Sequence, residues 1–286
     1  MPRPPLYKQK LRKWVDHLEG SNYSRDTIRL YSTCVRIAWD YGETKAWPAD
    51  PKKLEAKQVR EYLDYLRRYA SATQASYAKA LLLFLRWNGN QNVEHFRLRL
   101  RVTRSRVDWL TVEETSTIIT SAPDLWTRTM EILFAYTGIR LSELAYLRMT
   151  DMHEDHIVVI GKGSKARKIP VTAQFWEALR PYMEWRRTIE SPLFMCHPAS
   201  GGQPIGPYTK DGIRTAIRNH QEQIGRHLSP HTFRRSYGRH LYKAGMPLQE
   251  IQRLYGHASL AVTIAYLGIN DEDLATSIQK YQPSYL

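Results

Sequence analysis

The sequence predicts a mainly α-helical fold with one small antiparallel β-sheet, divided between two domains. Apolar residues recur at helical spacing through the first 90 residues, two β-branched runs flank a glycine-rich turn in the second half, and a strongly basic run separates the halves. We therefore expect a helical domain over residues 1–90, a basic linker over residues 91–108 and a mixed α/β domain over residues 109–286.

The charge balance of the chain indicates a polyanionic partner. Its 286 residues include 42 Lys and Arg against 28 Asp and Glu, which gives a net charge of +14 and a pI near 9.7. That balance is typical of proteins that bind nucleic acid or an anionic membrane, and a merely soluble basic protein is the alternative. The longest apolar run, ALLLFL at residues 80–85, is too short to span a membrane. We expect nucleic acid as the partner and no membrane contact.

The N-terminal residues and the cysteines favour a cytoplasmic protein. The opening residues MPRPPLYKQK lack the apolar region of a signal peptide. Cys34 and Cys196 form neither a metal-type cluster nor a disulfide framework, so both are most simply core residues.

Four helices account for the first domain. The first ends at Gly20, and its apolar residues fall at i, i+3, i+4 and i+7: Leu11, Trp14, Val15 and Leu18. Ser24 can cap a second helix, and the segment WPADP at residues 47–51 breaks the pattern. Two further helices follow, and the last ends at Asn88–Gly89. Together they form a small helical domain with its own core.

The run FRLRLRVTRSRV at residues 96–107 carries five arginines and no acidic residue: Arg97, Arg99, Arg101, Arg104 and Arg106. The alternation in its first half is compatible with an edge strand, and a solvated connector is a second alternative. Because five like charges repel one another without a counter-charge, we favour a linker that lies on phosphates.

The second domain opens with a helix signal at Thr111, which can act as N-cap with Glu114 closing a capping box. A helical pattern continues to about residue 149 and is broken near Thr137–Gly138. The runs HIVVI at 156–160 and RKIPV at 167–171 then bracket GKGSKA and predict a β-hairpin.

Helices return from about residue 173, with start signals at Ser229–Pro230, Pro247 and Ser259. Only one or two amphipathic turns are expected after Tyr266.

Two segments of this domain could hold a phosphate. In SPHTFRRSYGRH, His231 and Arg234 lie three apart in the first turn of a helix, whose N-terminus attracts anions. A buried capping histidine and a surface arginine are the alternative. In TGIRLSELAYL, Arg140 precedes a core helix and suits forked contacts with phosphate oxygens, or an ion pair with Glu143.

The hairpin tip GKGSKARK is a third basic feature, with Lys162, Lys165, Arg167 and Lys168. A basic tip can reach into a DNA groove, and a solvated turn is the alternative. The tip does not fit the pattern GxxxxGK[ST], so we reject an ATP site. His153 and His156 are near each other but lack a third ligand, and we expect neither a metal nor any other cofactor.

These features resemble the tyrosine recombinase (phage integrase) family, in particular its Xer-like two-domain members. The resemblance covers the whole chain and rests on five motifs in the family's order: Arg140 in TGIRLSEL, Lys162, His231-x-x-Arg234, Gly256–His257, and Tyr266 nine residues later. It implies a helical core-binding domain, a catalytic domain, and a C-shaped clamp around double-stranded DNA.

The resemblance also implies the chemistry. Tyr266 would be the nucleophile that forms a 3′-phosphotyrosyl intermediate, and His231 the base or the group that orients it. Arg140 and Arg234 would contact the non-bridging oxygens, since without a metal the phosphate charge must be met by cations. His257 would donate a further hydrogen bond to the phosphate.

Two lysines are candidates for the acid that protonates the 5′ oxygen. Lys162 is the first choice and Lys165 the second, because the hairpin tip offers both. Lys165, Arg167 and Arg235, with the linker arginines, are predicted DNA contacts.

The resemblance implies a site-specific recombinase that works as a tetramer on two DNA sites and is a monomer or dimer off DNA. Integration, excision and dimer resolution all fit, and a type IB topoisomerase-like activity or DNA binding without catalysis are the alternatives. The chain departs from the family where leucine, serine and histidine are frequent: it has Tyr255, Ala258 and Arg235. We expect Tyr255 to be a packing residue.

Overall fold

A computed structural model of the chain describes residues 6–98, 108–161, 165–186, 192–196 and 206–282. The predicted mainly α-helical fold with a small antiparallel sheet is confirmed. The chain divides into two compact units, Met1–Ser105 and Arg106–Leu286.

Unit 1 contains the four predicted helices: α1 (Leu6–Gly20), α2 (Arg25–Thr44), α3 (Ala56–Tyr65) and α4 (Ser71–Trp87). Helix α1 ends at the predicted glycine, and the Ser24 hydroxyl accepts a hydrogen bond from the Thr27 amide at the start of α2. Short 3₁₀ turns at Pro51–Lys53, Leu66–Arg68 and Gln91–Val93 complete the unit.

Aromatic rings fill the core of unit 1. Phe84 packs against Trp14 and Trp39, with ring centroids 5.3 and 5.6 Å apart. These large rings explain how helices of 10 to 20 residues bury enough apolar surface to form a separate core. Cys34 lies in this core with no exposed surface, as predicted.

Unit 2 contains nine described helices: α5 (Val112–Thr120), α6 (Leu125–Thr137), α7 (Leu141–Ala145), α8 (Ala173–Arg186), α9 (Lys210–Ile224), α10 (Pro230–Lys243), α11 (Leu248–Tyr255), α12 (Leu260–Leu267) and α13 (Asp271–Tyr281). The predicted capping box at the start of α5 is present, because the Thr111 and Glu114 side chains each bind the other's main-chain amide.

The predicted hairpin is formed by β1 (His156–Ile160) and β2 (Ala166–Pro170), which pair antiparallel. Ile157 faces Ile169 across the ladder, and both side chains are fully buried. The Gly161 amide donates to the Lys165 carbonyl at the mouth of the turn. The remaining tip residues, 162–164, lie outside the described residues.

Some details differ from the sequence prediction. A second small sheet pairs β3 (Met195–Cys196) with β4 (Gly206–Pro207), strands too short to show a periodic pattern. The Ser259 side chain makes no capping bond on α12. The tail forms an 11-residue helix, α13, rather than one or two turns, because Asn270 and Asp273 form a capping box and Asp273 pairs with Arg239 at 2.5 Å.

No helix in the described part of the chain is long and apolar enough to cross a membrane. Across the same residues, no group of three or more His, Cys, Asp and Glu side chains could hold a metal ion. His156 instead sits at the start of β1, with its ring nitrogen 2.6 Å from the Asp155 carboxylate.

Candidate active site

The N-terminus of α10 brings His231 and Arg234 into one turn. The Ser229 side chain accepts from the Thr232 amide and Pro230 occupies the first helical position, so the helix begins where the sequence predicts. His231 is exposed, whereas Arg234 is 2% exposed. The two residues therefore present a solvent-accessible imidazole beside a buried guanidinium.

Arg234 is held by two main-chain carbonyls. One terminal nitrogen donates to the Gly138 carbonyl and the other to the Tyr255 carbonyl, the latter at 2.9 Å. Gly138 ends α6 in the left-handed conformation, with φ of +57°, which turns its carbonyl toward the arginine. Burial and then the charge of Arg140 lower the pKa of Arg234 to about 10, so this arginine is still charged at neutral pH.

Arg140 is the N-cap residue of α7 and forms the ion pair with Glu143 that its spacing predicts. One guanidinium nitrogen lies 2.9 Å from the Glu143 carboxylate and the other donates to the Tyr255 carbonyl at 2.7 Å. The Glu143 carboxylate also accepts from the Arg140 main-chain amide at 2.8 Å. The side chain is still 32% exposed, so it can meet a ligand from solvent.

Glu143 is the buried counter-charge of the site. It is bound on both oxygens by Arg167, at 2.5 and 2.8 Å, as well as by Arg140. Burial alone would raise the pKa of Glu143, but the hydrogen bonds and charge of Arg167, followed by those of Arg140, outweigh it and lower the pKa. Two arginines share one carboxylate, so this cluster keeps a net positive charge.

Arg167 was predicted as a DNA contact, and the structure places it in this internal cluster. Its side chain is 15% exposed and its Nε donates to the Leu254 carbonyl at 3.1 Å. Lys165 is exposed at the base of the hairpin tip.

Main-chain carbonyls at the C-terminal end of α11 accept hydrogen bonds from all three arginines. Leu254 accepts from Arg167, and Tyr255 accepts from both Arg140 and Arg234. The C-terminus of a helix carries a partial negative charge, which favours cations around it. Gly256 ends the helix in the left-handed conformation, with φ of +60°, and leads directly to His257.

His257 is partly buried and fixed by Thr263, whose hydroxyl lies 3.0 Å from Nδ1. Burial, followed by the charges of Arg234, Arg140 and Arg167, lowers the pKa of His257 to about 4. The ring is therefore neutral at pH 7. When the Thr263 hydroxyl donates to Nδ1, the single ring proton sits on Nε2, which is then free to donate to a phosphate.

Tyr266 lies near the end of α12 and faces the same cluster. Its hydroxyl is 3.3 Å from His231 Nδ1, and its ring centroid is 5.4 Å from that of His257. Arg235 places its guanidinium carbon 5.4 Å from the centre of the Tyr266 ring. Burial raises the pKa of Tyr266, while the charges of Arg234, Arg235 and Arg140 act in the opposite direction.

The surroundings of His231 suit it to act as a general base. Although the residue is exposed overall, desolvation of the ring lowers its pKa below 6.5, and the charges of Arg235, Arg234 and Arg140 add to the effect. A neutral imidazole can accept the phenolic proton across the 3.3 Å contact.

The structure therefore brings five predicted site residues together: Arg140, His231, Arg234, His257 and Tyr266. Lys162 and four linker arginines (Arg99, Arg101, Arg104 and Arg106) lie outside the described residues, and Arg97 is exposed in unit 1.

The sequence prediction missed two residues, Thr263 and the supporting role of Tyr255, and one contact of Glu143, that with Arg167. Thr263 orients His257, Glu143 binds Arg167 as well as Arg140, and Tyr255 supports Arg234. Only Glu143 gave a local signal, its spacing of three from Arg140. The other two contacts depend on tertiary packing.

Comparison with protein-family profiles gives two matches in this chain. The phage integrase family profile matches residues 108–273, and the profile for the phage integrase N-terminal SAM-like domain matches residues 11–105. The chain belongs to the phage integrase family. The two matches cover most of each unit, and residues 108–273 include every described residue of the cluster.

Members of this family are similar over nearly the full chain. The tyrosine recombinase XerA of Pyrococcus horikoshii is 24% identical, and the match covers 94% of this chain and 92% of the relative. A crystal structure of XerA recombinase is 25% identical with a TM-score of 0.54, covering 97% of this chain and 99% of that one.

The structure of XerH recombinase bound to its difH substrate, in a pre-cleavage complex, has a TM-score of 0.67 at 20% identity. That match covers 95% of this chain and 84% of that chain. The XerH match shows the shared fold, and membership of the phage integrase family supports site-specific DNA recombination by the tyrosine mechanism as the activity.

Proposed function

We propose that this chain is a site-specific recombinase that cleaves and rejoins double-stranded DNA through a 3′-phosphotyrosyl intermediate on Tyr266. The observation that carries the proposal is the 3.3 Å contact between the Tyr266 hydroxyl and His231 Nδ1, beside three arginines whose charges act on that hydroxyl. A phosphodiester placed there would meet a nucleophile, a base and cationic donors at once.

The nucleophile is activated by its neighbours. A phenol with a raised pKa is mostly protonated at pH 7 and attacks slowly unless a base removes the proton during the reaction. His231, neutral at that pH, accepts the proton as the Tyr266 oxygen bonds to phosphorus. The charges of Arg234 and Arg235 stabilise the developing phenolate.

The arginines stabilise the transition state. Each guanidinium has five N–H donors, and Arg234 directs two of them at main-chain carbonyls. Donors of Arg234 and Arg140 that are turned toward the phosphate would bind its non-bridging oxygens, with Nε2 of His257 as a further donor. Because these groups are already anchored, little reorganisation is needed when charge develops.

The 5′ oxygen leaves with a proton. We assign that proton to a lysine of the hairpin tip, Lys162 first and Lys165 second. The free 5′ hydroxyl of another strand then attacks the phosphotyrosine and gives its proton to the now neutral lysine, while His231 returns a proton to the leaving Tyr266 oxygen. Each step exchanges one phosphodiester for another, so the proposed cycle needs no ATP, and the arginines would supply the positive charge that a metal otherwise provides.

The domain roles follow from the same proposal. Residues 1–90 would bind DNA as the core-binding domain, residues 91–108 would cross the phosphate backbone, and residues 109–286 would carry the chemistry. We further propose a DNA clamp, a tetramer on two DNA sites, and a cytoplasmic location.

One experiment separates this proposal from its rivals. The protein is incubated with a pool of nicked duplexes of random sequence, and DNA covalently attached to protein is recovered under denaturing conditions and sequenced. We expect adducts enriched in one inverted-repeat sequence, in the presence of EDTA and without ATP.

The other outcomes contradict the proposal in distinct ways. Adducts without sequence enrichment would indicate a type IB topoisomerase-like activity. Retention of DNA without any adduct would indicate a DNA-binding protein without catalysis.

A further inference from the structure

Tyr255 contacts both the main chain and the guanidinium of Arg234. The Tyr255 hydroxyl donates to the main-chain carbonyl of Arg234, and the guanidinium carbon lies 3.9 Å from the centre of the Tyr255 ring. The Tyr255 carbonyl is in turn an acceptor for the same guanidinium. Tyr255 therefore contacts three parts of Arg234: its main-chain carbonyl, the face of its guanidinium and one of the guanidinium N–H donors.

The Tyr255 ring has no alternative position. Its side chain is fully buried, and two glycines leave the space that it occupies. A Cβ on Gly238 would lie 2.7 Å from the Tyr255 hydroxyl, and a Cβ on Gly138 would lie 2.9 Å from the ring, both closer than real Cβ atoms approach. The ring is thus wedged between the helix of Arg234 and the turn whose carbonyl Arg234 also binds.

The electrostatics of Arg234 explain why an aromatic face matters there. Arg234 is buried and forms no ion pair with a carboxylate among the described residues; Glu143 is bound by Arg140 and Arg167 instead. Two carbonyls and one π face therefore contact the guanidinium directly, while Glu143 acts on it without an ion pair. Cation–π attraction is strongest where water is excluded.

We propose that Tyr255 is a positioning residue for Arg234, whose ring face and hydroxyl hold the guanidinium in the orientation that the phosphate requires. This extends the proposed recombinase function, in which Arg234 contacts the transferring phosphate. Tyr255 itself touches no reacting atom and acts only through Arg234.

The test removes the hydroxyl first and then changes the ring electrons while the shape of the ring stays nearly the same. Tyr255→Phe removes the hydroxyl, and fluorinated phenylalanines at position 255 then draw electron density from the ring face. The first readout is the hydrogen-exchange rate of the Arg234 guanidinium in ¹⁵N-arginine-labelled protein, measured without DNA. The second is the single-turnover rate of adduct formation on the nicked duplex recovered above.

We expect the guanidinium exchange to accelerate stepwise with fluorination, reaching about tenfold or more, because a desolvated cation–π contact is lost. Adduct formation should slow in parallel, while DNA affinity changes less than twofold. The matched control is Tyr182, a buried tyrosine of unit 2 whose hydroxyl donates to the Leu193 carbonyl at 2.7 Å. The same substitutions at position 182 should leave Arg234 exchange unchanged.

Arg234 exchange that does not respond to fluorination at position 255 would overturn the proposal and leave Tyr255 as a packing residue. That readout needs no catalysis, so it decides the role of Tyr255 even if the wild-type protein forms no adduct. Absence of the wild-type adduct would instead overturn the proposed function alone.

Discussion

His231 Nδ1 lies 3.3 Å from the phenolic oxygen of Tyr266, although the two residues are 35 positions apart in the chain. The contact joins the first turn of α10 to the last turn of α12. It places a base of lowered pKa beside a phenol of raised pKa, so proton transfer must accompany attack rather than precede it.

Removing the base should slow cleavage without weakening DNA binding. We expect His231→Ala to reduce the single-turnover rate of adduct formation by about 10²- to 10⁴-fold, the usual contribution of a general base. His227→Ala, at an exposed histidine four residues earlier, is the matched control. A His231→Ala rate within threefold of wild type would remove His231 from the mechanism.

The pH profile should report the lowered pKa of His231. A base acts in its neutral form, so activity is lost as pH falls through its pKa, which lies below 6.5. We expect the adduct-formation rate to reach half of its maximum below pH 6.5, the ordinary pKa of histidine. A half-maximal rate at pH 7 or above would show that His231 is not the titrating base.

Glu143 should matter for stability as well as for the arginines. Glu143→Gln removes the charge that Arg140 and Arg167 share in a buried site, and breaking such a pair costs about 3–5 kcal/mol. Denaturant unfolding measures this loss, with the exposed Glu184→Gln as control. An unfolding free energy within about 1 kcal/mol of wild type would show that the cluster is not a stabilising one.

The same carboxylate should make unit 2 sensitive to acid. The folded-state pKa of Glu143 is below 4.5, so its stabilising effect is present above the unfolded-state pKa and is lost as pH falls through the folded one. We expect the gap in unfolding free energy between wild type and Glu143→Gln to shrink below pH 4.5. A gap that is constant from pH 7 to pH 3 would contradict this assignment.

Thr263 should act through the orientation of His257. Thr263→Val keeps the shape of a buried side chain but removes the hydroxyl 3.0 Å from Nδ1, so we expect about a tenfold lower rate, the size of one hydrogen bond. Thr263→Ser keeps the hydroxyl and should restore most of that rate. Equal rates for the two variants would leave Thr263 as a core residue only.

The sequence predicted the helices, the hairpin and the order of the motifs because those depend on local spacing. Ser229–Pro230 marked the start of α10, and Gly138 marked the break before Arg140, each by its own backbone preference. The convergence of Arg140 and Arg234 on the Tyr255 carbonyl could not be predicted, because it joins residues 115 and 21 positions apart in the chain.

Tyr255 is a second case in which the sequence predicts burial but not the tertiary contacts. Tyr255 stands where the family frequently has leucine, which predicts a packing residue, and its ring is indeed fully buried. Its contacts with Arg234 depend on space left by Gly138 and Gly238, in two other helical segments. No local pattern connects those three positions.

The central claim is that Tyr266 carries the DNA during the reaction, and mapping the adduct tests it most directly. The covalent complex is digested with trypsin and nuclease, and the modified peptide is identified by mass spectrometry. The matched variants are Tyr266→Phe and Tyr146→Phe, the latter at a tyrosine of unit 2 that is 73% exposed.

We predict a nucleotide joined through its 3′ phosphate to Tyr266, no adduct in Tyr266→Phe despite normal DNA binding, and a full yield in Tyr146→Phe. An adduct on any other residue, or an undiminished yield from Tyr266→Phe, would contradict the account.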